Sequence, residues 1–160
     1  MNQNIHSVFQ QVSELLNNYQ ISFTVSRHKP VFTSKEAADV RGCELKSGAK
    51  ALICKTDDRF VMFVMPADRR LASKQVRQAL GIRKLRFATQ EEVWDQTGLR
   101  PGSIPPFGSL FQLPTWSDQA LSNEPQINFN AGDHVISISM TFKDFVTVES
   151  PRLGQFTEIS

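Results

Sequence analysis

The stretch of this chain best suited to chemistry is a loop, Gly98-Leu99-Arg100-Pro101-Gly102-Ser103-Ile104-Pro105-Pro106-Phe107-Gly108, with three glycines and three prolines in eleven residues. Glycine admits positive φ and the close approach of a ligand, and proline fixes the shape of what surrounds it. A loop so built keeps several amide N–H groups free to cradle an anion or a carbonyl oxygen. A tight connection between two elements would carry the same residues, so the loop alone decides nothing.

Other reacting groups are sparse. There is no G-x-S-x-G elbow and no convincing Ser-His-Asp set. His6 and His28 have no metal-ligand spacing to Cys43 or Cys54, and neither cysteine sits where its thiol would be activated. No metal or cofactor is expected. His134 opens an alternating strand, where it would hold a water or an amino group, or simply pack. Asn130 and Asp133 are typical turn residues, and Asp118 suits a helix cap. Lys50 taken alone is an exposed cation at a strand start. Residues 69–86 carry Arg69, Arg70, Lys74, Arg77, Arg83, Lys84 and Arg86 with no acid among them, a face that would meet phosphates or only water.

The elements that position these groups follow from periodicity. Ile5, Val8, Phe9, Val12, Leu15 and Leu16 make one helical stripe. Residues 21–25 alternate as a half-buried strand. Thr33 with Glu36, and Thr89 with Glu92, have capping-box spacing and open helices that stop at Gly42 and Gly98. Ala49–Cys54 and Phe60–Met65 read as a hairpin. Ser73–Leu80 is a helix closed by Gly81, and 85–88 a short strand. After the loop come a strand at Leu110–Leu113, a helical turn ending near Leu121, strands at Gln126–Phe129 and His134–Met140, and a helix at Phe142–Val146. Ile136, Ile138 and Met140 share the inward face of their strand.

About seven strands among short helices predict one α/β (α+β) domain over residues 1–160, its sheet mixed and mostly antiparallel. The 160 residues are enough for a real core, and the net charge of +2 is too small to indicate a nucleic-acid partner by itself. No apolar run reaches membrane-spanning length, and the polar start lacks signal-peptide order. Two unpaired thiols in a cytoplasmic protein are expected.

In order and spacing, several of these motifs together resemble the YbaK family, which includes the editing domain inserted in bacterial prolyl-tRNA synthetases. The match is carried by Thr33–Ala38, by Gly48-Ala49-Lys50-Ala51-Leu52, by Glu91-Glu92-Val93 to Thr97-Gly98, and by Gly102-Ser103-Ile104-Pro105-Pro106-Phe107-Gly108. Asp118-x-x-Leu121 and Asn130-Ala131-Gly132-Asp133-His134 sit where the family has similar segments. The resemblance spans about residues 20–148.

It implies a curled, barrel-like sheet and a free-standing domain that hydrolyses the ester of a mischarged aminoacyl-tRNA, the amino acid being small, such as alanine. It makes Lys50 the lysine required for activity and Gly102, Ser103, Ile104, Pro105 and Pro106 the loop beside the ester. Asn130, Gly132, His134, Phe107 and Gly108 fall on the substrate side. A terminal ribose hydroxyl of the tRNA would help order the attacking water. The implied partners are the 3′ end and acceptor stem of aminoacyl-tRNA, with Arg69, Arg70, Lys74 and Arg77 as phosphate contacts, and a synthetase besides. Ala51 stands where several members have Asn or Thr, and no histidine stands at Asn130, where the alanine-specific branch has one nearby. Those departures leave the amino acid open and keep a second expectation in view: a non-catalytic module on the same fold that binds a tRNA end, a nucleotide or a synthetase.

Overall fold

Why the chain folds around two apolar layers is clearest in one hairpin. Strand β2 (Ala49–Lys55) pairs antiparallel with β3 (Phe60–Pro66) over their full length. Alternation sends Ala49, Ala51 and Ile53 of β2 and Met62 and Val64 of β3 into the larger core. Leu52, Cys54, Val61, Phe63 and Met65 face a smaller one with Val76 and Phe156. Covered on both sides, β3 is an unbroken apolar run. The computed structural model describes residues 7–159.

Around this hairpin the chain runs α1 (Val8–Asn18), β1 (Thr24–Arg27), α2 (Ser34–Arg41), β2, β3, β4 (Arg69–Leu71), α3 (Ser73–Leu80), β5 (Arg86–Phe87) and α4 (Gln90–Thr97). It continues with β6 (Thr115–Asp118), β7 (Ile127–Asn130), β8 (Ile136–Met140), α5 (Phe142–Glu149), β9 (Arg152–Gly154) and β10 (Thr157–Ile159). The strands form an open five-stranded sheet in the order β5-β2-β3-β6-β9, a three-stranded sheet β1-β8-β7, and the pair β10-β4. Among the described strands only β3–β6 and β6–β9 pair in parallel. A single parallel bridge, Gly48 to Asn128, joins the two larger sheets.

The mixed, mostly antiparallel architecture is the one the sequence implies, with differences in detail. The strands number ten among the described residues, not about seven. β4, β9 and β10 are three-residue strands without apolar alternation. The stretch Leu110–Leu113 is not a strand. Gly108–Phe111 forms a 3₁₀ turn tied down by Glu149, whose carboxylate accepts from Ser109 N–H at 3.0 Å and Ser109 Oγ at 2.6 Å. The strand begins beyond Pro114. Residues 21–23 also precede their strand, because Ile21 N–H still donates to the Leu16 carbonyl and closes α1. β1 itself is exposed along its length, not half-buried. Ile5 and His6 lie outside the described residues.

Capping places the helices as their spacing predicts. Thr33 and Thr89 each accept from the third helical N–H, while Glu36 and Glu92 return the bond to the cap. Gly42, Gly81 and Gly98 end their helices left-handed.

Candidate functional site

A cavity of about 150 Å³ opens where the two larger sheets meet. One wall is the start of β2, from Gly48 to Leu52, and another is Asn128–Asn130 of β7. The N-terminal turn of α2 and Arg41 at its last turn form the third, and Gly102 with Ile104 the fourth.

The loop is shaped as its glycine and prolines demand. Pro101 and Gly102 occupy the middle of a turn in which Ser103 N–H donates to the Arg100 carbonyl at 3.3 Å. Gly102 has φ +91°, the left-handed value that second central position calls for. Two bonds from the β7–β8 connection then pin the loop: Asn130 Nδ2 donates to the Gly102 carbonyl at 2.7 Å, and Gly132 N–H to the Ser103 carbonyl at 2.8 Å. Among the described residues the Gly102 and Ile104 N–H groups have no main-chain acceptor.

Behind Asn130 stands a cation without a carboxylate. Arg41 Nη2 donates to Asn130 Oδ1 at 3.0 Å and its Nε to Ser137 Oγ at 2.9 Å. His28 Nε2 meets the same Ser137 hydroxyl at 2.7 Å. Burial pushes the guanidinium down to about 10, which still leaves it charged near neutrality. Lys50 carries the second cation. Its burial lowers its pKa, and the nearby Asp68 carboxylate offsets part of that. Asp68 Oδ1 is itself buried without a hydrogen-bond partner. At the mouth, Phe32 is 70% exposed and leans on His134 with ring centroids 4.8 Å apart. The arrangement offers two positive charges, unpaired main-chain donors and an aromatic surface around one small, partly apolar space.

The family model of the aminoacyl-tRNA editing domain matches residues 28–148 of this chain. The chain belongs to the aminoacyl-tRNA editing domain family. A relative named multifunctional Ser/Thr-tRNA deacylase ProXp-y, from Escherichia coli K12, is 30% identical over 152 residues, covering 92% of this chain and 91% of that protein. The proline–tRNA ligase of Bacillus subtilis is 33% identical over 89 residues, 53% of this chain but 15% of the ligase. In fold, the chain aligns with the crystal structure of a candidate trans-editing enzyme for prolyl-tRNA synthetase at TM-score 0.85 and 24% identity, covering 96% of this chain and 99% of that one.

In this editing domain the expected site residues divide into three groups. Lys50, Gly102, Ile104 and Asn130 meet at the cavity. Asn130 spends its amide on Gly102 and Arg41, so it holds the loop. Others support that group from behind. Ser103 is buried with its hydroxyl donated to the Arg100 carbonyl at 2.9 Å, and Pro105 and Pro106 are buried beside it. His134 Nδ1 bonds the Val31 carbonyl at 2.9 Å, and the ring props Phe32.

The remaining residues lie elsewhere. Phe107 is a core residue, edge-on to Phe129 and Phe145, so it is packing and not pocket lining. A Cβ at Gly108 would collide with Thr115 Oγ1 and Leu113, and one at Gly132 would press on Val8. Both glycines serve close packing.

The basic face also differs from its reading. Arg70 pairs with Glu158 at 3.0 Å and Arg86 with Glu92 at 2.7 Å. Asp57 accepts from the Arg83 and Lys84 N–H groups. Acids from outside this stretch thus face it, while Lys74 stays exposed and Arg77 donates to Ser73 Oγ at 2.6 Å. Sequence reasoning missed Arg41, Phe32 and Asp68. For Arg41 the only local signal was its place in the last turn of a capped helix. Cys43 and Cys54 are free thiols. Among the described residues no helix is long and apolar enough to cross a membrane.

Proposed function

We propose that this domain hydrolyses, in trans, the ester of a tRNA mischarged with a small amino acid of alanine to threonine size. The observation that carries the reading is a single cavity with a half-buried lysine on one wall and unpaired amides of a glycine–proline loop on another. An aminoacyl ester is already activated and needs only a placed water and a home for negative charge. The water oxygen bonds to the ester carbon while the carbonyl electron pair moves onto oxygen, facing the Gly102 and Ile104 N–H groups. The tetrahedral species then collapses. Its bond to the ribose oxygen breaks, and that oxygen takes the proton the water gave up. A neighbouring ribose hydroxyl orders the water, and no protein nucleophile is required.

Lys50 and Arg41 supply positive charge for the terminal phosphate and the developing oxyanion, and the terminal adenine stacks on Phe32, a contact worth about 1–3 kcal/mol. The small space and the methyl groups of Ala37, Ala49 and Ala51 in its wall favour a small side chain. The relative named for Ser/Thr-tRNA supports the same size class. A synthetase pocket separates side chains differing by one methylene by only about 1–3 kcal/mol, which is why such a second site is needed. The work belongs in the cytoplasm, where charged tRNA is made and used.

The test is release of labelled amino acid from a panel of correctly and incorrectly charged tRNAs. Turnover on one or more small mischarged residues, with cognate esters spared, is expected. Tight, salt-sensitive tRNA binding with no release anywhere in the panel would overturn hydrolysis in favour of a binding module.

A further inference from the structure

The strand that carries Lys50 has an edge that the sheets use unevenly. In antiparallel pairing, one residue points its N–H and C=O toward its neighbour strand, and the next points both away. Three bonds set the phase in β2. Thr56 N–H donates to the Arg59 carbonyl and Ala67 N–H to the Gly48 carbonyl, both at 2.8 Å and both in the β2–β3 register, so even-numbered residues face β3. Ala88 N–H donates to the Ile53 carbonyl at 2.9 Å on the opposite edge, so odd-numbered residues face outward. On that outer edge β5 takes the strand from Ile53 to Lys55, and β7 meets it at Gly48. Among the described residues, Ala51 lies in the gap between them with no strand beside it, and it lines the cavity.

A residue with N–H and C=O side by side on an open edge is half of a β-bridge. The other half is any group with a donor and a carbonyl acceptor flanking one carbon, and an aminoacyl ester has that form. We infer that the aminoacyl group docks against Ala51 as a one-residue strand. Its α-ammonium donates to the Ala51 carbonyl, and its ester carbonyl accepts from the Ala51 N–H.

This rests on the deacylase reading and adds the group that aligns the ester. The main-chain pair is blind to the side chain, so it holds any amino acid in one orientation. Paired residues share a face of the sheet, so the substrate's side chain stands on Ala51's own side, with Ile104 and Phe129. The Ala51 N–H also strengthens its bond as charge collects on the carbonyl oxygen. A larger residue at 51 would leave the pair intact and alter only the space beside it.

Two measurements test this. The first uses the unaltered protein and a non-hydrolysable probe, adenosine bearing alanine, serine or threonine through a 3′-amide. Amide exchange followed by NMR should find Ala51 exchanging faster than Leu52 and Ile53 in the free protein, and slowed at least tenfold by the probe. An Ala51 amide already protected in the free protein, or unchanged by all three probes, overturns the inference. The second replaces Ala51 by lactate, which turns that one N–H into an oxygen. A drop in kcat on the order of 10²–10³-fold is expected, with the protein still folded and its unfolding temperature lowered by only a few degrees, because the ester also weakens the Lys50 carbonyl that faces β3. Turnover within threefold of the unaltered protein overturns the pairing alone. No turnover by the unaltered protein on any charged tRNA overturns the deacylase reading, and the pairing with it.

Discussion

Lys50 meets the cavity from a strand whose burial works against its charge. Burial favours the neutral amine, so the proton leaves at a lower pH than the ordinary lysine value of 10.5. If the cation serves the reaction, catalysed deacylation, corrected for spontaneous hydrolysis, falls on the alkaline side before a normal lysine would titrate. Lys50→Ala should lower the rate at neutral pH by about tenfold or more and remove that alkaline limb. The sign for stability is opposite. The unfolded chain binds this proton more tightly than the folded one, so folding is disfavoured by the charge at neutral pH and gains as pH rises through the lowered value. Lys50→Met should therefore unfold at no lower temperature than the parent at pH 7. Gly102→Val forces a branched side chain into φ +91° and should abolish turnover by reshaping the loop. Arg41 both brings charge to the cavity and holds the loop through Asn130, so Arg41→Met should raise KM and also lower kcat. Arg41→Lys should not restore it, because one ammonium cannot reproduce the fork to Asn130 and Ser137.

The elements around the site were legible wherever local chemistry specifies them. Capping boxes and left-handed glycines are written in adjacent residues, and α2, α3 and α4 stand where those signals put them. Thr89→Ala, far from the cavity lining, should cost about 1 kcal/mol, a shift of roughly 2–4 °C in unfolding temperature, with deacylation unchanged. Thermal melts beside a rate measurement check both halves. Legibility ended where a partner distant in sequence decides. Glu149 turned the apolar Leu110–Leu113 stretch into a 3₁₀ turn. β4 and β10 exist because Arg69–Leu71 and Thr157–Ile159 pair with each other across most of the chain. The glycine–proline loop announced itself, yet its anchor, Arg41 through Asn130 to the Gly102 carbonyl, joins three segments that no local pattern connects. Phe107 misled for the same reason: a loop position reads as pocket until packing against Phe129 and Phe145 places it in the core.

At the scale of the whole molecule, a net charge of +2 must still attract a polyanion. The basic stretch starts near the cavity in sequence, since Ala67 lines it and Arg69 begins β4 two residues later, while α3 packs on the other face of the β2–β3 hairpin through Val76. Glu158 and Glu92 neutralise Arg70 and Arg86, exposed pairs that add little to stability but do subtract from the field. Lys74 and Arg77, on α3 and without acid partners among the described ion pairs, are then the phosphate contacts we propose for an acceptor stem. Phosphate contacts release counterions, so each one removed should flatten the dependence of log affinity on log salt by about one unit. Lys74→Glu with Arg77→Glu should raise KM for charged tRNA severalfold at low salt, and much less at high salt. Neither change should alter kcat on a minimal substrate, an aminoacyl ester of adenosine, which reaches the cavity without touching α3. If KM for whole tRNA and its salt slope both stay fixed, the stem is gripped elsewhere, and the basic stretch is only a solvated face.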